Sequence, residues 1–427
     1  MESWLQRAAR TKPDVVALDS ASGALSYAAL DAAATRAARR LSALGVRRGE
    51  GVALALAADA PFVEALHGCM RLGAVAVPVD LRLTPAERAA RVAGCAAFVD
   101  APLDGAQDRA APLVVAHDLD APAIVVHTSG TTAQARAVEL TYANWLWSAL
   151  GSAVALGLYA DERWLCTLPL SHVGGLSILL RSAIYATAAV LHDGFDAVAV
   201  LDELDRGGAT LVSAVPTTLA RLLDGGLRHP RALRAALVGG GPIAPDLLRR
   251  AAAAGVPAVT TYGLTEACSQ VTTGGHALFC TRVRIGDGGE ILVAGPTVAP
   301  RAAGIDGWLR TGDLGALDAA GNLAVTGRAA DTIVTGGENV APAEVEAVLA
   351  SHPAVADVAV HGAPDAQWGE RVVATIVLRP GATATAHDLA GYCRVRLARY
   401  KRPKVFRFSL DLPRTQSGKL LRRHLED

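Results

Sequence analysis

Aromatic side chains are scarce: Phe, Trp and Tyr together make up 4% of the 427 residues. The hydrophobic content is nonetheless 51%, which excludes a disordered chain and leaves alanine and valine as the main apolar residues. The interior is therefore expected to consist of small side chains on closely packed helices and strands. There is no charge excess either. Lys+Arg and Asp+Glu are both 41, which removes the general electrostatic case for nucleic acid or an anionic membrane as partner. The six cysteines (69, 95, 166, 268, 280, 393) form no C-x-x-C pair, so neither a disulfide framework nor a zinc site is expected, and the thiols read as reduced and cytoplasmic. Long apolar runs are missing too. The best, residues 173–191, is interrupted by Gly174, Gly175 and Arg181 and reads as buried soluble structure rather than a membrane span. The first residues carry Arg7 and Arg10 and lack the apolar core of a signal peptide.

A chain of 427 residues is expected to divide into two or three domains. Helical spacing over 28–48, with Leu30, Ala34, Ala37, Leu41 and Leu44 on one stripe, is followed by strand-like 52–57, helical 62–72, strand-like 74–79, helical 85–92 and strand-like 96–99. Further apolar strands fall at 123–127, 164–168, 233–238 and 256–261. This alternation predicts an α/β fold with parallel strands. Several of the strands run into loops of small residues, the usual wall of a site in such sheets. From about 282 glycines become frequent between short alternating runs, which predicts β-hairpins up to about 328. A compact α+β segment of helices near 342 and 386–397 and strands at 355–361 and 372–378 follows. The expected organisation is a large N-terminal domain, 1–328, of parallel-sheet α/β layers with a small β-rich part at about 282–328, then a small mobile C-terminal domain, 329–427. Residues 390–427 hold eleven Lys/Arg against three Asp/Glu, 11 − 3 = +8, read either as a solvated face or as an arm that meets phosphates.

Five short segments carry chemistry. Thr128-Ser129-Gly130-Thr131-Thr132 places four hydroxyls around a glycine after an apolar strand, suited to wrapping phosphate oxygens, although it lacks the P-loop pattern. In Thr261-Tyr262-Gly263-Leu264-Thr265-Glu266 an aromatic ring can lie on a base and a carboxylate can reach a phosphate-bound divalent cation. Thr311-Gly312-Asp313 offers a carboxylate to a vicinal diol. Gly327-Arg328 precedes Asp331 and the turn 336–339, and Pro413-Arg414-Thr415-Gln416-Ser417-Gly418-Lys419 ends the basic tail. Taken singly, each also reads as an ordinary loop, turn or surface residue.

Together and in this order, the five segments resemble the adenylate-forming superfamily of acyl-CoA synthetases, adenylation domains and luciferases, from Leu25 to Lys419. The segment Leu168-Pro169-Leu170-Ser171-His172-Val173-Gly174-Gly175-Leu176-Ser177 and the short length look most like the o-succinylbenzoate–CoA ligases of menaquinone biosynthesis. The resemblance implies ATP, Mg²⁺ and coenzyme A as partners of a small carboxylic acid, and adenylation of that acid followed by transfer to the thiol. It further implies that Thr128, Ser129, Gly130, Thr131, Thr132 and Arg136 hold the phosphates. Thr265 contacts the α-phosphate and Glu266 holds Mg²⁺. Gly240, Gly241, Thr261, Tyr262 and Gly263 flank the adenine, and Asp313 with Arg328 takes the ribose. Lys419 reaches the α-phosphate and acyl oxygen from the small domain. His172 and Gly240 would border the acyl pocket, and Arg181 would anchor a second carboxylate of the substrate. A structural His172 and a protein-paired or snorkelling Arg181 are the plainer readings.

Two departures stand out. The superfamily pattern T-S-G-T-T-G-x-P-K-G reads here T-S-G-T-T-Ala133-Gln134-Ala135-Arg136-Ala137, which changes loop stiffness and replaces an ammonium with a planar fork. The hinge position two residues after Gly327-Arg328 is Ala330 rather than Asp or Lys. Alternatives left open are a ligase for another aryl or aliphatic acid, an enzyme loading a carrier protein, an inactive nucleotide-binding relative, and self-association as a homo-oligomer.

Overall fold

Small residues set how closely the layers approach. In the helix Tyr27–Ala43, Ala33, Ala34, Ala37 and Ala38 are buried and face the helix Ala60–Leu72. At Gly68 a β-carbon would sit 2.7 Å from that of Ala37, so only glycine permits this crossing. The computed structural model describes residues 1–128, 136–414 and 420–425, the Arg423 side chain excepted.

Two sheets build the larger part. One has the order Ala97–Val99, Gly51–Leu54, Val75–Pro78, Pro122–Thr128, Arg136–Thr141; its first four strands run parallel and the last returns antiparallel. Its centre reads as a continuous apolar run, with Val52, Ala53 and Leu54 fully buried, as expected of a parallel strand covered on both faces. The other has nine strands, with the two-residue strand His276–Ala277 at one edge, antiparallel to Ser269–Thr273. Parallel strands Ala258–Leu264, Ala235–Val238, Leu211–Ala214, Arg163–Cys166, Ala188–Leu191 and Val16–Ser20 lie side by side, and antiparallel strands Ser269–Thr273 and Gly23–Ser26 flank them. Residues 282–328 form a four-stranded antiparallel sheet. Residues 333–409 form a five-stranded sheet with the helices Pro342–Ala350 and Ala386–Arg394 around a separate core of Ile333, Val345, Leu349, Val360 and Ile376. The fold class is the expected one: parallel α/β layers, a β-rich part, and a small α+β unit.

Several boundaries differ from the sequence reading. The first long helix stops at Ala43, short of the end of the helical spacing at 48 and at the stop that Gly45 offers in the sequence: Gly45 takes a left-handed φ of 94° and breaks the ladder. The strand expected over 256–261 runs on through Leu264, held by pairing with Ser269–Thr273. Arg136 opens a return strand, Arg136–Thr141, paired in register with Thr128, rather than continuing a loop. The last helix ends at Arg394 rather than 397. The apolar run at 173–191 is a helix, Val173–Tyr185, followed by a strand. Among the described residues, no helix is long and apolar enough to cross a membrane.

Candidate active site

The parallel strands deliver their small-residue loops to one edge. After Val238 the chain turns through Gly239-Gly240-Gly241. At Gly239 a β-carbon would lie 2.6 Å from the methyl of Thr261 and 2.7 Å from its carbonyl oxygen, so the glycine brings this turn against the neighbouring strand end. Gly240 has a left-handed φ of 79°, and little crowds Gly241, where a β-carbon would meet only the Pro216 ring at 4.0 Å. A slot bordered by bare backbone is thereby left for a flat group.

Three residues far apart in sequence converge beside it. The hydroxyl of Tyr262 donates to Asp313 Oδ2 at 2.8 Å. The Nε of Arg328 meets Asp313 Oδ1 at 2.8 Å. Asp313 and Arg328 face each other in register on adjacent antiparallel strands, so the sheet itself builds the pair. Asp313 is only 6% exposed. Burial, reinforced by the Asp313 charge, pushes the Tyr262 hydroxyl well above the ordinary phenol range, so it stays a donor. The Thr311-Gly312-Asp313 turn is tied down by three bonds. Thr311 Oγ1 donates to the Ile291 carbonyl (2.7 Å) and accepts from the Asp313 N–H (3.0 Å), while the Gly312 N–H donates to Glu290 Oε1 (3.0 Å). Asp313 is thus a fixed acceptor with lone pairs to spare for a vicinal diol.

Glu266 follows in the 3₁₀ turn Thr265–Ala267. Its backbone carbonyl accepts from the Ala299 N–H at 2.8 Å. Among the described residues its half-buried carboxylate meets no protein cation or hydrogen-bond donor, so its oxygens are available to a hard cation. Gly263 is obligatory just before this turn: a β-carbon there would fall 1.7 Å from the Ser269 carbonyl oxygen. No group of three or more His, Cys, Asp or Glu that could cage a metal exists among the described residues. A lone carboxylate near phosphate oxygens fits magnesium, which keeps waters and takes most remaining ligands from a nucleotide.

His172 sits at the N-cap of the 173–185 helix without capping it. Burial pushes its pKa down, opposed by the Asp80 carboxylate and assisted by Arg82, so the imidazole is held neutral. Arg181 lies two turns further along the same helix, 2% exposed. Its Nη2 donates to Ser148 Oγ at 3.1 Å and its guanidinium lies 5.4 Å from the Trp164 ring centre. No carboxylate pairs with it among the described residues, and burial lowers its pKa.

Of the expected phosphate residues, Thr128 ends a strand and Arg136 begins the next; the Thr128 hydroxyl points to the Arg136 carbonyl at 3.4 Å. Ser129, Gly130, Thr131, Thr132 and Lys419 lie outside the described residues. The segment bearing Lys419 is framed by a bridge between Arg414 and Leu420, with the Leu421 N–H donating to the Pro413 carbonyl at 2.8 Å. Arg414 pairs with Asp357, and Arg422 with Asp331 and Glu346. The structure therefore brings together Gly240, Gly241, Thr261, Tyr262, Gly263, Asp313 and Arg328, places Thr265 and Glu266 one turn on, and sets His172 and Arg181 on one neighbouring helix. Sequence reasoning missed Asn144 and Ser148, which lie buried beneath the Glu266 turn. Their signal in the sequence was a row of polar residues four apart, Asn144, Ser148 and Ser152, in a largely apolar helix.

The sequence pattern of the AMP-binding enzyme matches residues 5–101 and 98–301, and that of the AMP-binding enzyme C-terminal domain matches residues 344–419. The chain belongs to the AMP-binding enzyme family. A relative within the family is the 2-succinylbenzoate–CoA ligase of Bacillus subtilis (strain 168), 38% identical over 476 residues, covering 100% of this chain and 97% of that one. Among solved family members, the o-succinylbenzoate CoA synthetase of Bacillus subtilis in complex with the acyl-adenylate intermediate OSB-AMP superposes with a TM-score of 0.93 at 37% identity, covering 100% and 98% of the two chains. A double mutant of that synthetase bound with its product analogue OSB-NCoA covers the same shares at 38% identity but superposes at only 0.75. At equal coverage, this AMP-binding enzyme therefore superposes more closely on the adenylate complex than on the product-analogue complex.

Proposed function

We infer that this chain is an ATP-dependent, AMP-forming 2-succinylbenzoate–CoA ligase of menaquinone biosynthesis. The observation that carries the reading is the Tyr262–Asp313–Arg328 cluster beside the bare Gly240-Gly241 turn, in a chain whose whole length follows the synthetase caught with its acyl-adenylate. A carboxylate oxygen of the acid attacks the α-phosphorus of ATP, and the bond to pyrophosphate breaks. The coenzyme A thiol then attacks the acyl carbonyl, and AMP leaves with the bonding pair.

In this reading Tyr262 and Gly240-Gly241 flank adenine while Asp313, fixed by Arg328, accepts from the ribose hydroxyls. Thr261 and Gly263 hold the strand end against the glycine turn and the following strand. Thr128, Ser129, Gly130, Thr131, Thr132 and Arg136 take the phosphates, and Thr265 contacts the α-phosphate. Glu266 would hold Mg²⁺, which when bound neutralises charge on the phosphate oxygens. Lys419 supplies an ammonium to the α-phosphate and acyl oxygen, where three rotatable donors suit an oxyanion that shifts during reaction. His172, kept neutral, borders the acyl pocket. Arg181 is a buried guanidinium without a protein carboxylate among the described residues, and such an uncompensated charge favours a site for the acid's second carboxylate. We divide the chain at 328/329 and take Ala330, in the 3₁₀ turn Ala329–Asp331, as the pivot on which the small lobe turns between half-reactions. A cytoplasmic location, where ATP and coenzyme A are at hand, agrees with six free cysteines.

The test is an acid panel with ATP, Mg²⁺ and coenzyme A, read by mass detection of the thioester. 2-Succinylbenzoate should give the dominant product. Thioester from benzoate or aliphatic acids at equal kcat/KM would overturn the substrate, and adenylation with no transfer to free coenzyme A would favour a carrier-protein acceptor.

A further inference from the structure

The helix Tyr142–Leu156 starts directly after the return strand of the phosphate hairpin, and two of its buried polar residues reach across to the Glu266 turn. Asn144, 3% exposed, is fully engaged. Its Oδ1 accepts from the Thr141 N–H (2.9 Å) and hydroxyl (3.1 Å), which caps the helix. Its Nδ2 donates to the carbonyls of Pro296 (2.9 Å) and Val298 (3.0 Å). The next residue, Ala299, donates its N–H to the Glu266 carbonyl at 2.8 Å. One amide thus joins the end of the phosphate hairpin to the backbone of Glu266 through two short links.

Ser148 lies one helical turn on, 1% exposed. Its hydroxyl is 2.6 Å from the Cys268 carbonyl and 3.1 Å from Arg181 Nη2. A guanidinium only donates, so the Ser148 oxygen accepts from Arg181 and its proton is committed to Cys268. That carbonyl belongs to an unfavourable piece of backbone. Cys268 and Ser269 have φ of 53° and 89°, left-handed values that side-chain-bearing residues rarely adopt. The Cys268 N–H closes the turn onto the Thr265 carbonyl at 3.0 Å. A conformation of this cost persists only where its surroundings hold it; Ser148, backed by Arg181, holds the Cys268 carbonyl, while Ser269 is held by pairing with Leu264 and by the Ser177 hydroxyl at 3.4 Å.

We propose that Ser148 and Asn144 are positioning residues of the adenylation site: together they fix the 265–269 turn so that the Glu266 carboxylate is presented to the nucleotide-bound cation. The proposal rests on the assignment of Glu266 to Mg²⁺ made above. It separates two parts of the nucleotide site. Asp313 and Arg328, which take the ribose, are held by the 309–328 hairpin, and Tyr262 joins them through Asp313 from the strand Ala258–Leu264; none of the three hydrogen-bonds to Ser148.

The experiment is calorimetric titration of the full chain with MgATP and, separately, with AMP in the absence of metal. Ser148→Ala should weaken MgATP binding by about tenfold, the scale of one buried hydrogen bond, and leave AMP binding within about twofold. Ser148→Thr, which keeps the hydroxyl, should restore MgATP affinity. Asn144→Asp keeps the cap acceptors but loses both donors and should reproduce the Ser148→Ala pattern, so a folding failure of either variant leaves the other to decide. Equal weakening of MgATP and AMP, or no change in either, overturns the proposal, as does failure of Ser148→Thr to restore. Glu266→Gln is the reference. If it binds MgATP like the wild type, the metal assignment itself is wrong, a result distinguishable from unchanged Ser148 variants beside a weakened Glu266→Gln.

Discussion

Asp313 is the residue whose removal should reach furthest into nucleotide binding. It accepts from both Tyr262 and Arg328. Asp313→Ala leaves a buried phenol and a guanidinium without their acceptor, and each such loss costs about 1–3 kcal/mol. The KM for ATP should rise tenfold or more, while the KM for coenzyme A stays put in steady-state assays. Arg181→Ala is the corresponding test of the acyl pocket. It should weaken the dicarboxylic aryl acid far more than benzoate, read as kcat/KM for pyrophosphate release; an equal loss for both acids would defeat the anchor. A third residue prediction concerns stability. His67 is buried, and desolvation lowers its pKa from 6.5 to about 4. The unfolded chain therefore binds a proton near pH 6.5 that the native state refuses until about pH 4. Stability contributed by neutral His67 is complete above 6.5 and falls as pH drops through that window. Urea midpoints measured from pH 7.5 to 5 should decline, and His67→Gln should flatten the decline.

At the scale of elements, legibility followed local chemistry. The helix Pro85–Val92 was readable end to end because Thr84 and Glu87 form a capping box and proline opens the first turn. The return strand Arg136–Thr141 was not, because nothing local distinguishes it from loop; it exists only through pairing with Pro122–Thr128. The Tyr262–Asp313–Arg328 cluster was legible only as separate motifs, since the register that joins them is a long-range property of the sheet. Asn144 and Ser148 were not legible as site residues, because what ties them to the Glu266 turn is bonding to the backbone carbonyls of Pro296, Val298 and Cys268, which any residue type supplies. In the basic tail Arg414, Arg422 and Lys401 are paired with Asp357, Asp331, Glu346 and Glu344, so three cations of the charge run tie parts of the small lobe together, a use that composition alone did not suggest. Two changes test elements directly. Gly263→Ala puts a methyl 1.7 Å from the Ser269 carbonyl oxygen and should cost roughly 3 kcal/mol by urea denaturation, with loss of nucleotide binding. Ala330→Pro fixes φ in the 3₁₀ turn proposed as the pivot. It should slow thioester formation at least tenfold more than pyrophosphate release, an outcome a rigid connection would not give.

For the whole molecule, the proposed mechanism asks one small lobe to serve two reactions. The chain superposes at 0.93 on the adenylate complex and at 0.75 on the product-analogue complex, at the same coverage. Arg422 links the tail to Asp331 next to the proposed pivot and to Glu346 in the following helix, so tail and lobe are built to move as one body. In the proposed mechanism the tail lysine acts in the first half-reaction only. This role is tested most directly with Lys419→Ala, measuring pyrophosphate release from acid and ATP beside thioester formation from synthetic acyl-adenylate and coenzyme A. The first should fall by about a hundredfold or more, the scale of removing one charged oxyanion donor, with the second close to wild type. An equal fall in both would contradict the role.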